Sequence, residues 1–242
     1  MRTDLYADLF NLEDKHWWHV SKRRIVTTFI KIYAKTNNLK ILDIGCGTGK
    51  NLDQFKEFGQ IFGLDSSKDA LTFCKKRGLN NLTLGRAEKT PYKADFFDII
   101  TILDVLEHTD DDKTIKEIKR ILKTGGILIA TVPAFDWLWS RWDKILHHRR
   151  RYTAARLNRL LIRHKFKILK ISYMYSFLVL PALIIRTIKS FLSKQYYPSD
   201  FKLSFPLLNL LLEQLANIES FLIKKYYLPF GLSIIVVAQK ND

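Results

Sequence analysis

Cysteine is nearly missing from this chain: Cys46 and Cys74 are the only two among 242 residues. Two thiols make no disulfide framework, so a small stapled scaffold is excluded and a reducing compartment is expected. No internal repeat or low-complexity tract is visible, which excludes solenoids and compositionally biased chains. No apolar run reaches the roughly 20 residues that cross a bilayer as a helix. The run from Phe177 to Ile185 is broken by Pro181 and ended by Arg186, and a later apolar segment carries Glu213 and Glu219. The N-terminal "MRTDLYADLFNLEDKHWW" has no apolar core of signal-peptide type. The expected location is cytoplasmic, with membrane-surface association left open.

Acidic residues are scarce in one part of the chain only. Residues 141–242 hold 18 Lys/Arg against 5 Asp/Glu, net +13, whereas residues 41–140 are net −1 and residues 1–40 net +4, of +16 in all. An evenly solvated basic protein would spread its charge. A one-sided field attracts nucleic acid, anionic lipid headgroups or anionic substrates. With 47% apolar residues, the chain can bury a core and is not disordered.

Strand and helix signals alternate. "LKILDIG" (39–45), "QIFGLD" (60–65), "NLTLG" (81–85), the start of "FDIITILDVLEH" (97–108) and "GILIATVP" (126–133) read as strands. Helices fall between them, one capped by Ser66 and one with Ile115, Ile118 and Leu122 on a single face. "YTAARLNRLLIRHKF" predicts a further helix, and "KILKISYM" and "GLSIIVVAQK" two more strands. The expected architecture is α/β: a Rossmann-like, seven-stranded, mostly parallel sheet with an antiparallel last strand, and ligands at the C-terminal strand ends. The expected layout is one domain. An N-terminal helical lid spans 1–38, a cofactor-binding core 39–135, and a substrate-side loop, helix and strand 136–175. An apolar helical insertion spans 176–229, and the last strand 230–242.

"LDIGCGTG" carries the most chemistry. Gly45, Gly47 and Gly49 follow a strand and open a helix, where small residues let backbone approach a ligand. Asp65 ends the next strand and can accept both hydroxyls of a ribose. The spacing is G-x-G-x-G, not the G-x-G-x-x-G of dinucleotide sites, and Asn51 after Gly49-Lys50 excludes a P-loop. Asp43 beside the loop suits a cofactor with a cationic ammonium better than one with a pyrophosphate.

"ILDIGCGTG", "GLDSS", "GRAEKTPY", "FDIITILDVLEH" and "LKTGGILIATVP", in this order, resemble the class I S-adenosylmethionine-dependent methyltransferases. "HWWHVSKRRIV", "HHRRRYT" and "PFGLS" are similar to a less characterised branch of that superfamily, of the type 11/12 kind. The resemblance implies S-adenosylmethionine as cofactor and S-adenosylhomocysteine as product. Asp43, Gly45, Cys46 and Gly47 would hold the methionine end, and Asp65 with Ser66 the ribose. Ala87 and Glu88 would lie along the adenine edge, and the Leu103 carbonyl and Asp104 would face the amino group. Arg86 departs from the family, which often places an acid there for the adenine amino group; arginine cannot accept a hydrogen bond.

Residues 133–153 follow the fifth strand and so overhang the same edge. "WLWSRWDKILHHRRRYT" packs tryptophans, histidines and arginines together. Adjacent His147 and His148 point apart, and no cysteine or third histidine lies near in sequence, so no metal is expected. Arginine forks suit an anionic group. Arg149, Arg150, Arg151 and Tyr152 are therefore read as an anion clamp, Trp137, Trp139 and Trp142 as pocket walls, and His147 or His148 as facing inward. His108 and His148 are the candidate catalytic residues, and Trp17, Trp18 and Arg24 candidate lid contacts. The expected reaction is direct in-line methyl transfer to a small-molecule or lipid-linked acceptor with an anionic group. An anionic membrane surface is a further candidate partner. The alternatives are an RNA methyltransferase, which would use the basic C-terminal part, and a non-catalytic cofactor-binding partner protein. Nucleic acid is the weaker partner, because "LDVL" stands where amino-directed nucleic-acid enzymes carry (Asn/Asp)-Pro-Pro-aromatic.

Overall fold

A computed structural model describes residues 3–34, 38–184 and 205–241. Two helices, α1 (Thr3–Leu12) and α2 (Trp17–Tyr33), precede the sheet. Then follow β1 (Leu39–Ile44), α3 (Lys50–Phe55), β2 (Gly59–Asp65), α4 (Lys68–Lys76), β3 (Leu82–Leu84), β4 (Phe97–Leu103), α5 (Asp111–Ile121) and β5 (Leu122–Pro133). After α6 (Arg141–Ile145), α7 (Ala154–Arg163) and β6 (Phe166–Met174), α8 (Pro206–Lys225) leads to β7 (Ser233–Lys240). The strand order is β3-β2-β1-β4-β5-β7-β6, and β7 alone runs against its neighbours β5 and β6.

Helices cover both faces, so the central strands are apolar on both sides. On one face α5 and α7 bury Ile115, Ile118, Leu157 and Leu161 against Ile100, Ile102 and Leu128. On the other, α2 and α8 bury Val26, Phe29, Ile30 and Ile223 against Ile41, Ile99, Ile129 and Ile235. Each large aliphatic chain so buried contributes roughly 1.5–3 kcal/mol.

Two local expectations are corrected. Leu122 opens β5 rather than ending α5, and the β4–β5 register jumps between Phe97 and Ile99 around the left-handed Gly125 (φ 77°). The cap of α4 is Ser67, whose Oγ accepts from the Ala70 amide; its neighbour Ser66 is exposed.

The helical insertion before the last strand is present as α8. Residues 185–204 of the expected 176–229 segment lie outside the described residues. Arg24 of α2 binds Glu213 (2.9 Å) and Asn217 of α8, and Asn209 accepts from the Trp17 amide (2.9 Å). Glu219 is buried and caps the turn after β6, accepting from the Ser176 amide (2.7 Å) and hydroxyl and from the Tyr175 amide. Among the described residues, no helix is long and apolar enough to cross a membrane. Removal of that buried cap, Glu219→Ala, leaves two amides without acceptors and should lower stability by about 2 kcal/mol in urea unfolding. An unchanged midpoint would show that water replaces the carboxylate.

Candidate active site

The chain turns sharply from β1 into α3 at the C-terminal edge of the sheet. Gly45 sits at φ +73°, and a Cβ there would lie 2.3 Å from Val105 Cγ2, so only glycine fits. Gly47 (φ +55°) has no such neighbour, its nearest being Leu9 Cδ2 of α1 at 3.8 Å. Asp65, at the end of β2, is buried and staples the loop: Oδ2 accepts from the Gly47 amide and Oδ1 from the Ser67 amide, both at 2.9 Å. Each oxygen keeps a further lone pair for a hydroxyl donor. Burial raises the Asp65 pKa against those bonds.

Asp43 lies beneath this loop. Its Oδ1 accepts from Thr101 Oγ1 at 2.6 Å, while its buried Oδ2 has no well-formed hydrogen bond, the Asn51 side chain being the donor near this carboxylate. Burial pushes its pKa up to about 7. The folded state therefore holds the Asp43 proton more tightly than the unfolded chain does. That contribution to stability is full below about pH 4 and is lost as pH rises through 7. Urea unfolding at pH 5 to 8 should show wild type losing stability relative to Asp43→Asn. Parallel curves would remove Asp43 as the titrating group.

Cys46 is buried under the loop, with its Sγ 3.9 Å from that of Cys74, which in turn donates to the Gly47 carbonyl. Ala87 is buried, and Glu88 is held by Arg86 (3.1 Å) and the Asp110 amide (3.4 Å). Asp104 follows Leu103 with φ +54°, and its carboxylate takes Thr131 Oγ1 (2.9 Å) and Lys22. Burial would raise the Asp104 pKa, but the Lys22 charge and hydrogen bonds hold it low.

The N-terminal segment reaches this edge through residues not singled out in the sequence. Tyr6 is buried beside Asp65 and Ser67. Buried Glu13 accepts from Thr48 and, at 2.7 Å, from Arg77. Tyr6 and Leu9 of α1, with Glu13 one residue beyond its end, follow helical i, i+3, i+7 spacing, which is the signal that marks them. Trp17 and Trp18 instead pack on Tyr175, Trp18 stacked at 4.1 Å, and Arg24 ties α2 to α8.

The segment after β5 is tied down by charge. Asp143 is fully buried; Arg151 Nε and Nη2 donate to it at 2.7 and 2.9 Å, and Ser140 adds its amide at 2.7 Å. His148 Nδ1 lies 2.9 Å from the same carboxylate. Burial opposes ionisation of Asp143, but the His148 and Arg151 bonds hold its pKa well below the usual range. Arg150 pairs with Asp111 (2.5 Å), and the Tyr152 hydroxyl donates to the other Asp111 oxygen (2.9 Å). Of the residues read as an anion clamp, Arg150 and Arg151 each meet an internal carboxylate and Tyr152 is buried in the core. Exposed Arg149 gives its amide to the Glu107 carbonyl (2.9 Å), and exposed His147 sits at φ +58°. Trp137 is exposed and stacks on Phe135 at 5.2 Å, and Trp139 is half-buried. The Trp142 side chain lies outside the described residues.

The fold brings His108 to His148, with ring centroids 4.7 Å apart. The third histidine, absent from the sequence neighbourhood, comes from the loop after β4, next to β5 in the sheet. Glu107 stands with them, 1% exposed, and neither of its carboxylate oxygens has a partner. Burial lowers the His108 pKa to about 4, with the His148 charge adding, and raises that of Glu107 well above the usual range.

Residues 42–130 match the model of a methyltransferase domain. The chain is 35% identical over 138 residues to an uncharacterized protein of Methanocaldococcus jannaschii, covering 56% of this chain and 53% of that one. It is 32% identical over 118 residues to a ubiquinone biosynthesis O-methyltransferase of Haemophilus ducreyi, covering 43% and 50%. In fold it resembles a SAM-dependent methyltransferase from Archaeoglobus fulgidus, with a TM-score of 0.59 at 19% identity over 90% of this chain and 94% of that one. Over residues 42–130 the chain is similar to a methyltransferase domain, and its fold is that of a solved SAM-dependent methyltransferase. It spans about half the length of the curated relatives it matches.

Proposed function

We propose that this chain transfers a methyl group from S-adenosylmethionine to a small-molecule or lipid-linked acceptor bearing an anionic group. The observation that carries the reading is the glycine loop stapled by Asp65 above a buried Asp43 oxygen without a well-formed hydrogen bond. A cationic ammonium answers the buried carboxylate, and a vicinal diol answers the free lone pairs of Asp65. When bound, the cofactor supplies a methyl carbon activated by a neighbouring sulfonium charge. The protein's work is then alignment and exclusion of water. Asp43 and the loop amides would hold the methionine end, Ala87 and Glu88 the adenine edge, and the Leu103 carbonyl the amino group. His108 and His148 stand on the acceptor side.

Two surfaces support the acceptor class. Arg150, Arg156, Arg159 and Arg163 line a groove of about 460 Å³, with Asp111 and Leu160. Helix α8 exposes Leu207, Leu210, Leu211, Ile218 and Phe221 and ends in Lys224 and Lys225. The two lie on opposite faces of the sheet and support the reading separately: the basic groove suits an anionic head, and the apolar helix with its terminal lysines suits a greasy chain or an anionic bilayer surface. The relative named for ubiquinone biosynthesis agrees with an acceptor of that kind.

The test is transfer of labelled methyl into a cell extract, separated by solubility. Label in the organic-soluble fraction is the expected result. Label in RNA, with binding that falls steeply with salt, would turn the reading to nucleic acid. Cofactor binding with no labelled product in any extract would make the chain a non-catalytic partner.

A further inference from the structure

We propose that Glu107, His108 and His148 form a binding site for a divalent transition-metal ion of the zinc class. One ligand atom from each of these residues lies within 4.8 Å of the other two. Ligands about 2.1 Å from a shared tetrahedral ion lie roughly 3.4 Å apart, so rotamer-scale contraction closes the set.

Glu107 gives the independent reason. It is buried to 1% exposure, and both carboxylate oxygens lack any hydrogen-bond donor. Buried polar atoms are nearly always partnered, and one carboxylate with two orphaned oxygens calls for a cation or a missing donor. His148 Nε2, at 4.0 Å from Glu107 Oε1, is the nearest ring nitrogen recorded to it.

The surroundings hold the His148 imidazole as outer-shell groups hold a metal ligand. His148 turns Nδ1 to Asp143 Oδ1 at 2.9 Å, which leaves Nε2 free toward Glu107. Asp143 cannot turn away, because Arg151 grips both its oxygens. The His108 ring packs edge-on against that of His148, with centroids 4.7 Å apart. A carboxylate or carbonyl on the outer nitrogen fixes ring orientation and strengthens the inner nitrogen as a donor. This explains why Arg151 of "HHRRRYT" points into the protein: it sets Asp143, and Asp143 sets His148.

Two imidazoles and one carboxylate suit zinc, iron(II), cobalt(II), nickel(II) or manganese(II) better than magnesium or calcium, which prefer oxygen. Three protein ligands leave at least one position open. That position lies at the C-terminal end of β4, on the ligand edge of the sheet. The ion's use, to orient an acceptor oxygen, rests on the methyl-transfer reading; its binding does not.

The test uses the full chain, freed of metal by a chelator and titrated with Zn²⁺ against a chromophoric competitor. Cobalt(II) serves as a spectroscopic probe, and S-adenosylmethionine affinity is measured on the same samples. The expected result is one Zn²⁺ per chain at micromolar affinity or tighter, with Mg²⁺ failing to compete. Glu107→Gln and His148→Ala should each weaken Zn²⁺ at least 100-fold, while His147→Ala leaves it unchanged. Circular dichroism checks each fold, and Glu107→Gln, which keeps the side chain's size and shape, is the variant least prone to unfold. No stoichiometric Zn²⁺ binding, or binding indifferent to Glu107→Gln and His148→Ala, overturns the site. Absent Zn²⁺ with intact cofactor binding sinks this proposal alone. Zn²⁺ bound without cofactor binding sinks the methyltransferase reading and leaves the site standing.

Discussion

Arg151→Gln should cost about 3 kcal/mol of stability, the low end for a buried charge that loses its countercharge, because Ser140 and His148 stay on Asp143. In a domain of this size that shifts the melting temperature by roughly 10 °C. The cause is Asp143, which is fully buried and takes both Arg151 donors. Glutamine can supply one weaker donor and no charge. Arg150→Gln is the contrast. Its partner Asp111 also holds Tyr152 and is less buried, so the loss should stay near 1 kcal/mol. Thermal melts of the two variants separate a structural clasp from an anion clamp. If Arg151→Gln melts like wild type yet abolishes turnover, the guanidinium serves the acceptor and the clasp account is wrong.

Asp65→Ala should lower S-adenosylmethionine affinity by 100- to 1,000-fold. Two charge-assisted bonds to ribose hydroxyls are worth about 1.5–3 kcal/mol each, less what water returns. The same change frees the Gly47 and Ser67 amides, so the loop also loses its staple. Asp65→Asn keeps an acceptor for one amide and should lose less, on the order of 10-fold. Calorimetry on both variants reads the difference. Equal affinity in wild type and Asp65→Ala would remove Asp65 from the cofactor site.

The fold was readable because local signals agree with it. "LDIGCGTG" carries strand, turn and helix start within a few residues, and the buried face of α5 repeats at helical spacing. Errors fell where choices are near-degenerate. Ser66 and Ser67 are both plausible caps, and Leu122 continues the apolar period of α5 while the chain has already entered β5. The acceptor side was less readable for a different reason. Arg150 and Arg151 read as free because Asp111 is distant in sequence and Asp143 gives no sign of being buried. His108 and His148 meet only because β4 and β5 are neighbours in the sheet. A pattern based on adjacent ligands cannot see such a pair. Tyr6 and Glu13 carry a weaker sequence signal than the tryptophans of "HWWHV", and those tryptophans pack on Tyr175.

The central claim is that the cleft at the ends of β1 and β2 holds S-adenosylmethionine. Calorimetric titration of the unmodified chain tests it most directly, with S-adenosylhomocysteine and NADH in parallel. The account predicts one site per chain at micromolar affinity for S-adenosylmethionine and its product, with heat that vanishes in Asp65→Ala. NADH should give no heat of binding. Tight NADH binding without any response to S-adenosylmethionine would contradict the account.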